Sequence, residues 1–453
     1  MKVPFFPFMV RADGNGSCSV VVADTERAES INHSAARLLE LCDGYRTINE
    51  IARVLSTEFS GPFSVIESRL RSFVDEMDGK GLIWIREERM RWFRTPPPSL
   101  IFWEITAECN LRCKHCVVSA DKKLQQELTT DEALMLVDEW ARLGVQNITF
   151  SGGEPLLRPD MFEIARYAKS QNINLQIATN GTLVTPSVVS ELKSLAMDVQ
   201  ISLDGSSPEV YGRFRGNNRA FYDVVRGIEA LRAAGMNFTL ATVVTKSNVQ
   251  DIPNILKLVE QYGIQAFRLI PFIPLGRGKK NKNLELEPSE MKELTVYLRG
   301  IRKKAAFDIL PMEFEETLEE PFNQRIDPAD PSACGGAIHY TTVTPEGCVL
   351  PCHYFYGVKT ENVHDHSFSW IWHNSRFLNY FRSLRIRDFK GGCAKCKWLA
   401  QCRTGCKAAN FSAAKLFEGN RHCWIANGNE VQTTDTLSPD LPSSRWQILN
   451  SIV

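Results

Sequence analysis

The segment Ile105-Thr-Ala-Glu-Cys-Asn-Leu-Arg-Cys-Lys-His-Cys116 places Cys109, Cys113 and Cys116 on one short loop, directly after the apolar, strand-like run 100–105. Three thiolates can bind three irons of a [4Fe–4S] cluster and leave the fourth iron open, whereas a complete electron-transfer cluster is held by four cysteines. A structural zinc ion would also need four closed ligands. The spacing therefore predicts a cluster with one coordination position left for a small molecule.

A glycine turn, Ser151-Gly-Gly-Glu-Pro-Leu-Leu157, follows the second strand-like run. Together with the cysteine loop, its residues Gly152, Gly153, Glu154 and Pro155 resemble the radical S-adenosylmethionine (SAM) enzymes. The resemblance implies that the open iron binds the amino and carboxylate groups of SAM, while the turn presents backbone groups to the SAM amine. Glycine suits such a turn because it allows the backbone to approach a ligand closely.

Strand and helix signals alternate six times along this part of the chain. The strands are predicted at 101–105, 147–150, 174–178, 199–203, 238–244 and 267–270. Such alternation favours parallel strands with right-handed crossovers. Six units make a partial barrel, and the chemistry of parallel barrels lies at the C-terminal ends of the strands. The cysteine loop and the glycine turn both follow strands, so they are expected on that rim.

The resemblance implies further SAM contacts at later strand ends: Thr179, Asn180, Ser202, Asp204, Arg215, Val243 and Ile270. The first four would face the ribose and the amino-acid portion, and the last two would wall the adenine, although apolar strand residues equally suit a core. Arg215 would pair with the SAM carboxylate, because a guanidinium fork matches two oxygens. Arg213 is the alternative for that role.

Seven further cysteines stand at positions 334, 352, 393, 396, 402, 406 and 423. Their spacing resembles the SPASM domain, named for maturases of peptides, sulfatases and quinone cofactors, which holds two auxiliary [4Fe–4S] clusters. The resemblance assigns three ligands to auxiliary cluster I: Cys334, Cys352 and Cys406. It assigns four to auxiliary cluster II: Cys393, Cys396, Cys402 and Cys423. The alternative for the 393–406 stretch is a zinc ribbon.

Three of the thirteen cysteines remain: Cys18, Cys42 and Cys348. The first two are expected to be small buried apolar side chains. Auxiliary cluster I has only three matched ligands. Either Cys348 completes this cluster, or one iron stays open to substrate, which is the alternative we favour.

The N-terminal part is predicted to be a small α/β unit whose second helix starts at a capping box, Thr47 with Glu50. The segment Ile31-Asn-His-Ser-Ala-Ala-Arg-Leu-Leu-Glu-Leu-Cys-Asp-Gly44 and the two helices after it resemble the RiPP recognition element. This winged-helix domain binds the leader of ribosomally made precursor peptides. We expect the leader to add a strand to the sheet beside the helix that carries Leu70 and Phe73. A DNA-binding winged helix and a mere packing domain are the alternatives.

The predicted fold class is α/β, with a partial (β/α)6 TIM-type barrel, an N-terminal winged-helix-like domain and a cysteine-rich C-terminal SPASM domain. The predicted segments are a RiPP recognition element (1–93), a proline-rich linker (94–99), a radical SAM core (100–310), a bridging region (311–333), the SPASM domain (334–425) and a C-terminal tail (426–453).

The composition narrows the class of protein. A chain of 453 residues with 43% hydrophobic content is long enough for two to four domains. Its net charge of zero gives no basic excess for nucleic-acid binding, and no run of about 18 apolar residues could span a membrane. The N-terminus is too short and too rich in proline for a signal peptide. These features predict a cytoplasmic protein. In that compartment cysteines stay reduced, so they are expected to be metal ligands rather than disulfides.

The resemblance implies an oxidoreductase with three [4Fe–4S] clusters, one at the SAM site and two auxiliary. An electron from the first cluster cleaves SAM into methionine and a 5′-deoxyadenosyl radical, which abstracts hydrogen from a leader-held precursor peptide. An auxiliary cluster can take the second electron, which suits a thioether or carbon–carbon crosslink. The implied electron donor is an external flavodoxin or ferredoxin. The catalytic base is not readable from the sequence.

Two other functional classes remain open. The enzymatic alternatives are a sulfatase-maturase-like protein modifier and an enzyme of haem or quinone-cofactor biosynthesis. The non-enzymatic alternative is a peptide-binding iron–sulfur chaperone.

Overall fold

The computed structural model describes residues 2–12, 18–21, 28–90, 95–311, 334–356, 358–396, 398–412 and 416–427. The predicted bridging region and C-terminal tail lie outside these ranges except at residues 311 and 426–427. Within the described ranges, none of the helices combines enough length and apolarity to cross a lipid bilayer.

The described strands are β1 (Val3–Phe5), β2 (Met9–Ala12), β3 (Cys18–Val21), β4 (Ala28–Ile31), β5 (Trp84–Arg86), β6 (Leu100–Thr106), β7 (Asn147–Gly152), β8 (Asn174–Thr179), β9 (Asp198–Ser202), β10 (Phe238–Val244), β11 (Ala266–Pro271), β12 (Asp308–Leu310), β13 (Tyr340–Val343) and β14 (Val349–Leu350).

The described α-helices are α1 (His33–Leu41), α2 (Ile48–Glu58), α3 (Phe63–Gly79), α4 (Thr130–Leu143), α5 (Met161–Ser170), α6 (Pro186–Ser194), α7 (Pro208–Arg215), α8 (Ala220–Ala233), α9 (Ile252–Gln261), α10 (Pro288–Arg302), α11 (Phe368–Asn374), α12 (Arg376–Arg382), α13 (Leu399–Cys402), α14 (Lys407–Phe411) and α15 (Trp424–Asn427).

The main sheet is the predicted partial barrel. Strands β6 to β11 lie side by side in chain order and all pair in parallel. The sequence analysis missed the two extensions of this sheet. Strand β12 adds in parallel to β11, and the β13–β14 hairpin of the C-terminal domain adds to β6. These strands of two to four residues are too short to show a hydrophobic pattern.

The strand register decides which residues face the barrel interior. In β6, Trp103 packs edge-on against Trp140 of α4, with ring centroids 4.9 Å apart, so the odd-numbered residues face the helices. Because side chains alternate along a strand, Glu104 faces the interior. The cysteine loop leaves β6 at its C-terminal end and the glycine turn leaves β7 at the same end, since β6 and β7 are parallel.

The N-terminal domain contains a three-stranded antiparallel sheet of order β2-β3-β4 and the helices α1 to α3. The predicted capping box of α2 is confirmed, because Thr47 and Glu50 exchange hydrogen bonds. Strands β1 and β5 form a separate pair. This pair carries Phe5, whose ring stacks on Tyr380 of α12 with centroids 4.0 Å apart. The domain therefore packs directly on the C-terminal domain.

Candidate active site

The cysteine loop is closed by its own backbone. The Cys109 N–H donates to Asp121 O at 3.0 Å, and the Asp121 N–H donates to Ala107 O at 3.1 Å. Inside the loop, the Leu111 N–H donates to the Cys109 sulfur at 3.5 Å and the Ala120 N–H donates to the Cys116 sulfur at 3.3 Å. Hydrogen bonds to sulfur are among the features that tune an iron–sulfur cluster. The loop thus directs N–H groups at two of its three sulfurs.

The thiols are close enough to influence one another. Burial raises the pKa of Cys109 to about 12, and the neighbouring Cys113 and Cys116 act in the same direction. Burial also raises the pKa of Cys113. A cluster binds thiolates, so loading this site must release protons.

Arg277 holds the loop from the opposite side of the barrel. Its guanidinium donates to Cys113 O at 3.0 Å and also to Ala120 O, while its backbone N–H donates to Cys116 O at 2.9 Å. Three loop carbonyls are therefore fixed by one residue. The sequence analysis missed Arg277, and its only local signal is the Gly276-Arg-Gly278 step after β11.

The glycine turn lies directly beneath the cysteine loop. The Gly153 N–H donates to Thr106 O and the Glu154 N–H donates to Glu108 O, both at 2.7 Å. Gly152 has a φ of +123°, and a Cβ on Gly153 would lie 2.0 Å from Glu108 O. The glycines are thus required because the turn approaches the backbone of the cysteine loop. Pro155 is buried in the short 3₁₀ turn that follows, Pro155–Leu157.

Glu154 connects the glycine turn to the end of β8. Its buried carboxylate accepts hydrogen bonds from the Thr179 hydroxyl at 2.6 Å and the Asn180 N–H at 2.8 Å. The Asn180 side chain in turn donates to Asn110 of the cysteine loop at 2.8 Å. Glu154, Thr179 and Asn180, each predicted at the SAM site, therefore lie in one hydrogen-bonded network.

Arg215 and Asp204 form a buried ion pair beside the cysteine loop. The Arg215 Nε donates to Asp204 Oδ2 at 2.6 Å, and Nη1 donates to the Cys113 sulfur at 3.7 Å. The other Asp204 oxygen accepts the Val243 N–H at 2.8 Å. Both oxygens are thus used by protein groups, so Asp204 orients Arg215. Arg213 is exposed on the other side of α7 and bonds to Glu209 O.

The remaining predicted SAM contacts lie on one side of the rim. Val243 of β10 and Ile270 of β11 are in register and half-buried. Ser202 ends β9 and is also half-buried. These strand ends are adjacent in the sheet, so together they can wall a flat, largely apolar group.

Glu104 was also missed by the sequence analysis. Its side chain faces the barrel interior five residues before Cys109, and only 3% of the residue is exposed. Among the described residues its Oε2 has no hydrogen-bond partner. Burial raises the pKa of Glu104 well above its usual value, with Glu346 acting in the same direction. A raised pKa favours the protonated carboxyl group, which can donate a hydrogen bond.

In the C-terminal domain, one cavity is lined by four cysteines: Cys393, Cys396, Cys402 and Cys423. These are the four that the sequence assigned to auxiliary cluster II. The lining also includes Trp398, Leu399 and Ile425, which supply an apolar wall. Burial raises the pKa of Cys402 to about 12 and that of Cys423 to about 11. A cavity with four thiols in its lining fits a four-cysteine cluster.

Two of the cysteines assigned to auxiliary cluster I, Cys334 and Cys352, lie near the same end of the β13–β14 hairpin. A Cβ on Gly336 would lie 2.9 Å from Pro351 O and 3.7 Å from the Cys334 sulfur, so Cys334 lies at the Pro351–Cys352 end of β14. Cys348 lies at the opposite, turn end of the hairpin, where Asn362 donates to its sulfur at 3.5 Å. Cys348 therefore lies on the other side of β14 from Cys352.

No three His, Cys, Asp or Glu side chains of the described ranges converge on a single metal ion. In a cubane cluster each thiolate binds a different iron, so the thiolates stand further apart than the ligands of one ion.

Family profiles match three parts of the chain. Residues 103–259 match the Radical SAM superfamily, residues 19–83 match coenzyme PQQ synthesis protein D (PqqD), and residues 334–403 match an iron–sulfur cluster-binding domain, SPASM. The chain is 34% identical over 334 residues to the AdoMet-dependent heme synthase of Methanosarcina barkeri, which covers 70% of this chain and 94% of that protein. It is 31% identical over 341 residues to the mycofactocin maturase MftC of Mycobacterium tuberculosis, covering 71% of this chain and 81% of MftC.

Solved structures share the fold. Streptococcus suis SuiB bound to S-adenosylmethionine superposes with a TM-score of 0.60 at 16% identity, covering 92% of this chain and 98% of SuiB. The structure of anSMEcpe with bound AdoMet gives a TM-score of 0.59 at 22% identity, covering 73% of this chain and 95% of that chain. The chain belongs to the radical SAM superfamily, as an enzyme of the SPASM type whose cofactors are [4Fe–4S] clusters and SAM and which carries an N-terminal PqqD domain.

Proposed function

We propose that this enzyme is a peptide maturase, which installs an oxidative crosslink on a ribosomally made precursor peptide held by its leader. The observation that carries the proposal is the PqqD domain, residues 19–83, packed against the cluster-binding domain. MftC is named as a maturase, and SuiB has been solved bound to its precursor peptide SuiA, with a TM-score of 0.60 to this chain. A peptide-binding domain fixed on the catalytic body would hold a substrate near the barrel.

The leader is proposed to pair with an edge of the three-stranded sheet. Strands β2 and β4 are its two edges. Strand β2 begins at the contact with the C-terminal domain, where the Lys359 N–H donates to Pro7 O at 2.7 Å. Strand β4 is therefore the edge we propose for the leader, since backbone pairing gives affinity. On α3, Leu70 is buried in the core, whereas Phe73 is half-buried against it, and we propose that Phe73 contacts the leader.

In the active site, Cys109, Cys113 and Cys116 are proposed to hold the SAM-site cluster. When bound, this cluster supplies the electron that cleaves SAM to a 5′-deoxyadenosyl radical. Protein groups position the reactants and exclude water. Arg215, oriented by Asp204, is proposed to bind the SAM carboxylate. Among the described residues, no protein group engages its Nη2.

In the C-terminal domain, the four cysteines that line the cavity are proposed to hold auxiliary cluster II. Cys334, Cys352 and Cys406 are proposed to hold auxiliary cluster I. Because Cys348 lies at the far end of the hairpin, these three cysteines leave one iron of auxiliary cluster I without a protein ligand. A thiolate of the peptide substrate is proposed to bind that iron, which suits a thioether product.

We expect the leader to be required for turnover but not for SAM cleavage. A precursor peptide encoded beside the gene should be modified by the reconstituted enzyme, whereas the same core peptide without its leader should react roughly a hundredfold more slowly. Anaerobic assays would measure the peptide mass shift by mass spectrometry and 5′-deoxyadenosine by chromatography. Shortening the peptide rather than the enzyme keeps the domain contact around Phe5 and Tyr380 intact.

Equal turnover of the leaderless peptide and the full-length peptide would contradict the proposal.

The second candidate function is haem or cofactor biosynthesis, favoured by the 34% identity to the M. barkeri heme synthase. A haem-precursor porphyrin in the same assay separates the two, since only the small-molecule enzyme would convert it in preference to the peptide.

Arg215 should be needed for SAM binding. Arg215→Lys keeps a charge beside Asp204 but loses the planar fork, and a charge-assisted hydrogen bond contributes about 1.5–3 kcal/mol. We therefore expect SAM affinity to fall roughly 10- to 100-fold at unchanged iron content. Arg213→Lys on the exposed face of the same helix is the matched control. Equal effects in the two variants would contradict the role of Arg215.

A further inference from the structure

The loop between Cys402 and Cys406 has an unusual backbone. Its three residues, Arg403, Thr404 and Gly405, all have positive φ, at 47°, 73° and 62°. Left-handed conformations at residues other than glycine cost roughly 1 kcal/mol or more each. Cys402 lies in the cavity assigned to auxiliary cluster II, and Cys406 belongs to the set for auxiliary cluster I. This strained loop therefore links the two sets within four residues.

The loop folds around the ammonium group of Lys407. Its Nζ donates to Arg403 O at 3.0 Å, to Gly405 O at 2.9 Å and to the Thr404 hydroxyl. An ammonium has three donors, so all of them are used, whereas a neutral amine has only two N–H bonds. The arrangement thus matches the charged form and offsets the strain of the loop.

Lys407 is a buried cation with no carboxylate beside it. Only 1% of the residue is exposed, and its Nζ lies 4.7 Å from the centroid of the Phe389 ring. Within the described ranges it makes no ion pair with Asp or Glu. Burying an unpaired charge is costly. An anion close to the ammonium group would offset this cost.

Lys407 directly follows Cys406 in the chain, and its ammonium group is bonded within the loop that begins at Cys402. Cys406 belongs to the proposed cluster I set, and Cys402 belongs to the cluster II set. When both sets carry clusters, each becomes an anion next to the same ammonium. A nearby cation stabilises the reduced, more negative state of a cluster, and net charge near a cluster is one of the determinants of its potential.

We infer that Lys407 is the shared counter-ion of the two auxiliary clusters and raises the reduction potential of both. Lys407 is a positioning residue, since it acts on the clusters through charge and through the loop between their ligands. This role rests on the cluster assignments proposed above and not on the identity of the peptide.

The test is a redox titration of the auxiliary clusters alone. In a Cys109→Ala/Cys113→Ala/Cys116→Ala background, electron paramagnetic resonance would follow the two remaining clusters. Lys407→Met should lower the reduced-to-oxidised ratio of both clusters at least tenfold at a fixed potential, which is about 59 mV for a one-electron couple. In Lys407→Arg, which keeps the positive charge, both potentials should lie close to those of the unsubstituted protein. Lys395→Met is the matched control, because Lys395 lies between two cluster II ligands but is exposed to water, so its effect should be smaller.

Unchanged potentials in Lys407→Met with full iron content would overturn the inference, and so would a shift in only one cluster. If Lys407→Met loses iron, the variant Lys407→Arg distinguishes the effect of the charge from the effect of packing. Iron retained in Lys407→Arg supports the counter-ion role. Iron lost in both variants contradicts that role and shows that the lysine side chain is needed for packing. The titration uses no peptide, so a failed maturase assay and a failed counter-ion test are independent results.

Discussion

Replacing Cys109, Cys113 and Cys116 together with alanine should abolish 5′-deoxyadenosine formation and remove about four of about twelve irons per chain. The reason is geometric. The three thiols share one loop closed by the Cys109–Asp121 hydrogen bond, while the other assigned ligands lie in the C-terminal domain. The auxiliary clusters should therefore load normally. Iron content and product chromatography of the anaerobically reconstituted variant measure both effects.

Cys348→Ala is the control for this variant. Cys348 lies at the turn end of the β13–β14 hairpin, bonded to Asn362, so its loss should leave the iron content and turnover unchanged. Loss of a cluster in Cys348→Ala would show that it completes auxiliary cluster I. Zinc in place of iron, or SAM cleavage by the triple variant, would contradict the assignment of the cysteine loop.

The cysteine loop and the glycine turn were predictable because their chemistry is local. Cys109, Cys113 and Cys116 lie within eight consecutive positions, and the requirement for glycine at 152 and 153 is visible in the residue type. The alternation of strands and helices predicts that both features lie on the same rim. The structure adds a reason for the glycines that the sequence did not reveal: a Cβ at position 152 would collide with Thr106 O, and a Cβ at position 153 would collide with Glu108 O.

Features that depend on distant parts of the chain were not predictable. Arg277 reaches the loop from a position 164 residues after Cys113, and no local pattern marks it. Glu104 stands in an apolar run, but only the register of β6 shows that it faces the interior. The β13–β14 hairpin joins the barrel at β6 through residues separated by 240 positions. In each case the pairing is decided by tertiary packing.

The contact between the N-terminal domain and the C-terminal domain also depends on distant parts of the chain. Arg86 of β5 is buried against the C-terminal domain, where it donates to the Ser383 hydroxyl at 2.6 Å and to Ser383 O at 2.8 Å. Its guanidinium also lies 2.8 Å from Asp388 Oδ2. A second ion pair, Arg387 with Glu88 at 2.6 Å, crosses the same interface but is more than one-third exposed on both sides.

Arg86→Ala should loosen the peptide-binding domain from the catalytic body. Removing one partner of a buried ion pair leaves Asp388 uncompensated and costs about 3–5 kcal/mol. Hydrogen exchange in β5 and α12 should therefore accelerate roughly a hundredfold or more in the cluster-loaded protein. Arg387→Ala removes the exposed pair and should cost no more than about 1 kcal/mol. If the two variants exchange at the same rate, Arg86 does not hold the domains together, and a leader bound at β4 would have no fixed position relative to the barrel.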